Sequence, residues 1–398
     1  MVPRRLRCQS SAVRSNQRVG WRYLLASAIG YRLSSGRAWC RSLLARRVDM
    51  VSLEQLRENG ATLRETLPSR KVRLTVPSDL RASDRSALRM RDVREVPAQA
   101  VVELSGATVL GREGWVFVDG RLVDGIWQEV GFPARRMLPR GRLEKPAHLG
   151  GTTASLLMPW LPNYYHWTTQ AVPRVQMVKD VAGDDVDHWL IPADPPSYVL
   201  EWLDRLDVPV ERRVEVRGRR QVFAVDRLVV SSVPGANRWV PSWVVDHLRK
   251  QFPPPPEHGE RVFVDRPETD RRRMLNREDV VAALRGRGFR IVDLASLTVQ
   301  EEAVLFGSAA VVVGVHGAGL TNLVFCRPGT VVLELAPRGL VFPTFAKLAD
   351  AAQVTHHLLV GTEPALPRPL RFPDVLADVV VDIPALTRLL DPVLTRLG

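Results

Sequence analysis

The stretch Ala309-Ala-Val-Val-Val-Gly-Val-His-Gly-Ala-Gly-Leu-Thr-Asn322 decides how the rest of this chain is read. Ala309–Val315 carries no polar side chain, the pattern of a central strand in a parallel sheet covered on both faces. His316 and the glycines at 317 and 319 follow, and Leu320–Phe325 reads as a short helix. Glycine lets backbone approach a ligand closely, and a helix start offers unpaired N–H groups and the positive end of a dipole. Together these make a diphosphate site. The plainer alternative, a tight turn that needs small residues, leaves His316 and Asn322 without a purpose. The spacing Gly314-x-x-Gly317-x-Gly319 differs from G-x-G-x-x-G, and the first βα turn of this half has no glycine fingerprint. A dinucleotide oxidoreductase is therefore disfavoured.

Outward from that strand the pattern is regular. Arg261–Asp265, Phe289–Leu294, Thr330–Leu335 and Val354–Val360 read as further strands. Arg277–Arg287, with Asn276 as its expected N-cap, Thr298–Gly307, opening on the capping box Thr298-x-x-Glu301, and Pro343–Ala352 read as helices between them. Strands alternating with helices at this spacing predict a Rossmann-like domain. Upstream, residues 98–123 alternate apolar and polar and turn at Asp119-Gly120, a β-meander. From about residue 150, His188–Pro192, Arg227–Ser231 and Ser242–Phe252 suggest strand, strand and helix in a largely parallel arrangement. Pro253–Pro256 cannot continue a helix. The expected organisation is a basic tail over 1–49, an N-terminal α/β domain over 50–252, a proline-rich linker over 253–258 and a C-terminal Rossmann-like domain over 259–398.

The composition, 45% hydrophobic and 25% charged over 398 residues, is globular and excludes a disordered or fibrous chain. A net charge of +13 suggests polyanions at face value, but +10 of it falls in residues 1–49, where 11 Arg face one acid. The nearly neutral remainder disfavours a nucleic-acid role. The first 49 residues read as a disordered tail, as a segment lying on an anionic membrane surface, or as untranslated sequence ahead of a start at Met50. Cys8, Cys40 and Cys326 are too few and too scattered for a disulfide framework or zinc site, which fits a reducing cytosol. No stretch approaches the ~20 apolar residues of a membrane-spanning helix.

Four further features carry candidate chemistry. Arg266 and Arg271-Arg-Arg273, with Asn276 just beyond, follow the strand at 261–265 at the sheet edge where such folds bind ligands, and guanidinium forks suit phosphate oxygens. Asn163-Tyr-Tyr-His-Trp-Thr-Thr-Gln170, with Arg174 four residues on, places a histidine between aromatics, a candidate base or an ordinary core residue. Glu334 is an acid inside an apolar strand and needs a partner or a ligand hydroxyl. Asp184-Asp-Val-Asp187 has the spacing of a D-x-D metal motif, although acidic loops of this kind are common.

These residues resemble glycosyltransferase family 61, the group containing bacterial capsular-polysaccharide proteins and eukaryotic O-GlcNAc and xylosyl transferases. The resemblance spans roughly residues 98–360. Its motifs are Arg266, Arg272-Arg-x-x-Asn276, Gly314-x-His-Gly-Ala-Gly-Leu-Thr-Asn322, Pro328-Gly-Thr-Val-Val-Leu-Glu334 and Asn163-x-x-His-Trp with Pro173-Arg174. It implies an α/β chain of GT-B type, two Rossmann-like domains facing across a cleft. It also implies inverting transfer from a nucleotide sugar, usually a UDP-sugar, without an essential metal or other cofactor. The acceptor would be a glycan or lipid-linked oligosaccharide of surface polysaccharide or capsule synthesis, and the setting the cytoplasm or the cytoplasmic membrane face. Arg266, Arg272, Arg273, Asn276, His316, Gly317, Ala318, Gly319, Thr321 and Asn322 would hold the donor, and Glu334 its ribose. Asn163, Trp167, Gln170 and Arg174 would lie on the acceptor side, with His166 as the catalytic base. One departure matters: many members have Asp where this chain has Gln170, and an amide cannot take a proton. Two alternatives stay open, a nucleotide-sugar epimerase or hydrolase on the same fold, and a degenerate relative that binds without turnover.

Overall fold

The computed structural model describes residues 48–73, 93–126, 138–235, 239–266, 272–337, 342–362 and 378–397. The Arg-rich segment 1–47 and Arg271 lie outside the described residues.

The first half builds one mixed sheet. β1 (Met50–Val51) leads into helix α1 (Leu53–Glu58), started by a capping box between Ser52 and Gln55. β2 (Thr62–Leu67) follows, then a separate hairpin of β3 (Arg70–Arg73) and β4 (Val93–Val96). β5 (Gln99–Leu110), β6 (Trp115–Val118) and β7 (Arg121–Val123) form the expected meander. Asp119 and Gly120 both take positive φ, 50° and 71°, as a two-residue hairpin turn requires.

β8 (Ala147–Ser155), β9 (His188–Pro192), β10 (Arg213–Val216) and β11 (Val222–Ser231) complete the sheet. Its order is β1-β7-β6-β5-β11-β8-β9-β10, with β2 on β5. The parallel part, β11-β8-β9-β10, and the meander are thus continuous, because β11 pairs antiparallel with β5 from Val222↔Leu110 to Ser231↔Val101. Sequence periodicity assigned both parts but could not join them, since register is set by a partner far along the chain. A helical run connects β8 to β9: Tyr164–His166, a π-turn at Trp167–Ala171, then α2 (Val172–Ala182). α3 (Ser197–Arg205) connects β9 to β10, and α4 (Ser242–Gln251) follows β11.

The proline run 253–256 leads to the second sheet, and Pro254 and Pro255 pack on Gly307, where a Cβ would lie 2.7 Å from Pro255 Cδ. Beyond it come β12 (Glu260–Asp265), α5 (Arg277–Arg285), β13 (Arg290–Asp293) and α6 (Val299–Ser308). β14 (Ala309–Val315), β15 (Val331–Ala336), α7 (Thr344–Ala352), β16 (Thr355–Val360) and α8 (Ile383–Leu397) follow. The Thr298–Glu301 capping box is present at α6. The cap expected from Asn276 is not: its amide donates to Val381 O at 2.8 Å and accepts from Val381 N–H at 3.0 Å.

This sheet is all parallel, with order β13-β12-β14-β15-β16. Numbered within the half, the order is 2-1-3-4-5, whose direction of winding reverses between β12 and β14. The crevice outside the carboxyl ends of those two strands is where such a sheet receives a ligand.

The two sheets share a core. Trp202 of α3 lies edge-on to Phe252, 5.0 Å between ring centroids, and stacks on Phe325 from the second half at 6.3 Å. Burying each such ring contributes about 1.5–3 kcal/mol. Arg249 of α4 crosses to the second half, its guanidinium donating to Val324 O at 2.9 Å and Ala352 O at 2.8 Å. Among the described residues no helix is long and apolar enough to cross a membrane.

Candidate functional site

The winding reversal places Arg266 at the end of β12 beside His316 and Gly317 at the end of β14. A Cβ on Gly317 would lie 2.9 Å from Arg266 Nη1, so the glycine makes room for the guanidinium. Arg272, held at φ 53°, donates from Nη1 to His316 O at 2.8 Å. Ala318–Phe325 forms a 3₁₀ helix rather than an α-helix, and Leu320 N–H closes its first turn on Gly317 O at 2.9 Å. The amides of Ala318 and Gly319 therefore start the helix without an intrahelical acceptor, which suits them to anionic oxygens. Gly319 serves packing, since a Cβ there would meet Leu294 at 3.0 Å and Val264 at 3.3 Å. Thr321 and Asn322 are buried.

Glu334 is not open to a ribose in this arrangement. It is 1% exposed, its Oε1 is hydrogen-bonded to His316 Nδ1, and its Oε2 lies 2.8 Å from His356 Nε2. Burial alone raises a carboxyl's pKa, but the two imidazoles outweigh it and hold Glu334 at about 2. Strand periodicity explains the grouping. In the parallel register Gly314 faces Glu334 and Val332 faces His356. Residues two apart share a face, so His316, Glu334 and His356 come to one side of three neighbouring strands. His356 belongs to none of the sequence motifs.

Arg273 and Asn276 serve the C-terminal segment. Arg273 pairs with Asp378, Nη2 to Oδ2 at 2.6 Å, while Asn276 holds Val381. Among the described arginines of this cluster, Arg266 and Arg272 are brought to the loop. Arg277 forms an ion pair with Asp265 at 2.5 Å.

In the first half, Asn163 caps the run at Tyr164, its Oδ1 accepting from Tyr165 N–H at 3.0 Å. His166 Nδ1 lies 2.6 Å from Gln170 Oε1. An amide oxygen only accepts, so Nδ1 carries the proton and the neutral ring has its lone pair on Nε2. Trp160 stacks near the ring at 6.3 Å, and Tyr165 meets it edge-on at 5.4 Å. Tyr165 in turn packs against Phe345 at 6.2 Å, and Phe345 against His316 at 4.9 Å. Two aromatic rings thus connect the candidate base to the glycine loop.

Two residues expected on the acceptor side are structural. Trp167 is fully buried in the shared core. Arg174, also fully buried, donates to Ser231 Oγ at 3.1 Å, Ser155 O at 2.8 Å, and the carbonyls of Leu156 and Leu157. Burial lowers its pKa to about 9. In the acidic loop, Asp187 Oδ2 accepts from Thr152 N–H at 2.8 Å, and Arg212 donates to Asp184 O and Val186 O. That loop leads into β9 and is tied to β8. Among the described residues no group of three or more His, Cys, Asp or Glu could hold a metal ion.

Sequence reading missed the polar contact between the halves. The Tyr164 hydroxyl lies 2.7 Å from Glu302 Oε2 and 2.6 Å from Asn322 Oδ1. It has one proton to donate, and a protonated Glu302 supplies the second. Burial raises the Glu302 pKa to about 7. The signal was present: Glu302 lies three residues after Val299 and four before Phe306, on the buried face of α6.

The folded state holds the Glu302 proton more tightly than the unfolded chain, so its stabilising share is complete below about pH 4.5 and is lost as pH rises toward 7. Glu302→Gln is expected to stabilise the protein at pH 8 by about 1–2 kcal/mol, in urea melts compared with pH 5. An equal effect at both pH values would rule out that ionisation.

Residues 164–333 match the family model described as Glycosyltransferase 61. Two curated proteins of Oryza sativa subsp. japonica are similar over short stretches. The beta-1,2-xylosyltransferase XAX1 is 44% identical over 69 residues, 17% of this chain and 12% of that protein. The beta-1,2-xylosyltransferase XYXT1 is 41% identical over 71 residues, 17% of this chain and 15% of that protein. The matched stretch covers less than a sixth of either relative.

Proposed function

We propose that this chain, with its glycosyltransferase 61 segment over residues 164–333, is an inverting glycosyltransferase of GT-B type using a nucleotide sugar such as a UDP-sugar. The observation that carries the reading is the convergence at one crevice. Arg266, Arg272 and the start of the 318–325 helix lie at the winding reversal of the second sheet, with His166 two aromatic rings away. The xylosyltransferase relatives favour a pentose as the transferred sugar. A glycan or lipid-linked hydroxyl is the acceptor, and the Arg-rich first 49 residues suit a peripheral place on an anionic membrane face.

In this mechanism the acceptor O–H gives its proton to His166 Nε2 as the oxygen attacks the anomeric carbon. The bond from that carbon to the diphosphate oxygen breaks on the opposite face, and the diphosphate leaves with the electron pair. Arg266, Arg272 and the Ala318 and Gly319 amides stabilise the charge that grows there, already oriented before reaction. Gln170 orients the base, which answers the missing acid at that position: the proton acceptor is the imidazole and the amide fixes its tautomer.

The test is incubation of the purified chain with UDP-xylose and a panel of other nucleotide sugars, with xylo-oligosaccharide and lipid-linked acceptors and with and without EDTA. Mass spectrometry reads the products, and calorimetry reads UDP binding. A glycosylated acceptor is the expected outcome. Sugar released or isomerised equally with and without acceptor identifies a hydrolase or epimerase instead, and binding without turnover a non-catalytic relative.

A further inference from the structure

The geometry points to Glu334 and His356 as positioning residues that fix the His316 ring so that its Nε2 faces the donor diphosphate. This rests on the donor-site reading above and deepens it. Three observations carry it.

The first is the bonding. A carboxylate accepts and does not donate, so His316 Nδ1 and His356 Nε2 must each bring a proton to Glu334. That fixes the tautomer and the plane of the His316 ring. Among the described residues no hydrogen bond involves His316 Nε2, the nitrogen on the far side of the ring. The second is the surroundings. Arg272 holds the His316 carbonyl, the Leu335 carbonyl takes the His316 N–H at 2.9 Å, and Phe345 packs edge-on to the ring. The backbone is thus held on both sides and the ring by Phe345, next to the residues that start the 318–325 helix.

The third concerns His356. Its Nδ1 is buried without a hydrogen-bond partner. A histidine kept in a buried strand position with one nitrogen unsatisfied is held there for its other nitrogen, which meets Glu334. Without that bond, Glu334 Oε2 becomes an unsatisfied buried acceptor, and the carboxylate can turn and carry the His316 ring with it. The arrangement works as a metal-bound histidine does when an outer carboxylate sets its orientation. Here the group to be met is a diphosphate oxygen.

The experiment compares UDP and UMP binding by calorimetry in the full chain. His356→Ala is expected to weaken UDP by about tenfold, the low end of what a hydrogen bond to a charged group contributes, and to leave UMP within about threefold. His356→Gln keeps an N–H donor for Glu334 and is expected to restore UDP binding to within about threefold. Where His356→Ala does not stay folded, His356→Leu fills the site, donates nothing, and carries the same comparison. UDP binding unchanged in the variant that donates nothing, or UDP and UMP weakened alike, overturns the positioning role and leaves the donor-site reading standing. Absence of UDP binding by the unaltered chain overturns both.

Discussion

His166→Ala is expected to lower kcat by about 10²–10⁴-fold, the usual contribution of a positioned general base, with a small change in KM for the donor. The size follows from how firmly the ring is held. Gln170 Oε1 accepts a hydrogen bond from Nδ1–H at 2.6 Å, and Trp160 and Tyr165 confine the imidazole on two sides. The Nε2 lone pair therefore keeps one direction. Gln170→Ala leaves the base in place but loose, and a fall of about tenfold is expected. Gln170→Glu puts a negative charge against Nδ1 and favours the protonated ring. The acid limb of its kcat/KM profile is then displaced to higher pH relative to the unaltered chain. Initial rates across pH 5–9 read all three variants. Full activity in His166→Ala would remove the imidazole from the mechanism.

Arg174→Ala is expected to destabilise the protein by about 3–5 kcal/mol, read as a displaced urea midpoint. The guanidinium is fully buried and binds carbonyls at the end of β8 together with the Ser231 hydroxyl at the end of β11. Truncation leaves buried acceptors without donors and opens a cavity in a fully buried site. Arg174→Lys is expected to recover part of the loss, because an ammonium donates but cannot span the same set of acceptors. Stability unchanged, together with a raised KM for the acceptor, would return Arg174 to the acceptor side.

These two residues sit in one motif, and the contrast shows what a linear pattern carries. His166 and Arg174 are eight residues apart, and both residue types suit chemistry. Nothing between them in sequence says that one ring lies near the glycine loop while the other side chain anchors a sheet. The same holds for Arg272 and Arg273. Adjacent in sequence, one reaches His316 O and the other Asp378, more than a hundred residues away. Asn276 was expected to cap its own helix, and a long-range backbone partner, Val381, takes its amide instead.

What the sequence by itself determined was local. The apolar run Ala309–Val315, the capping box at Thr298, the Asp119-Gly120 turn and the strand-helix alternation of 260–360 are each set by sterics and periodicity within a few residues. They were enough to define the second sheet and to put Arg266 and His316 at strand ends. Tertiary structure decided where side chains are used. It placed the winding reversal between β12 and β14, and it grouped His316, Glu334 and His356 through parallel register. It also set Glu302 against Tyr164 across the two halves. The reason is physical: backbone conformation responds to neighbours in sequence, whereas the hydrogen bonds of a buried polar side chain depend on whichever distant segment packing brings to it.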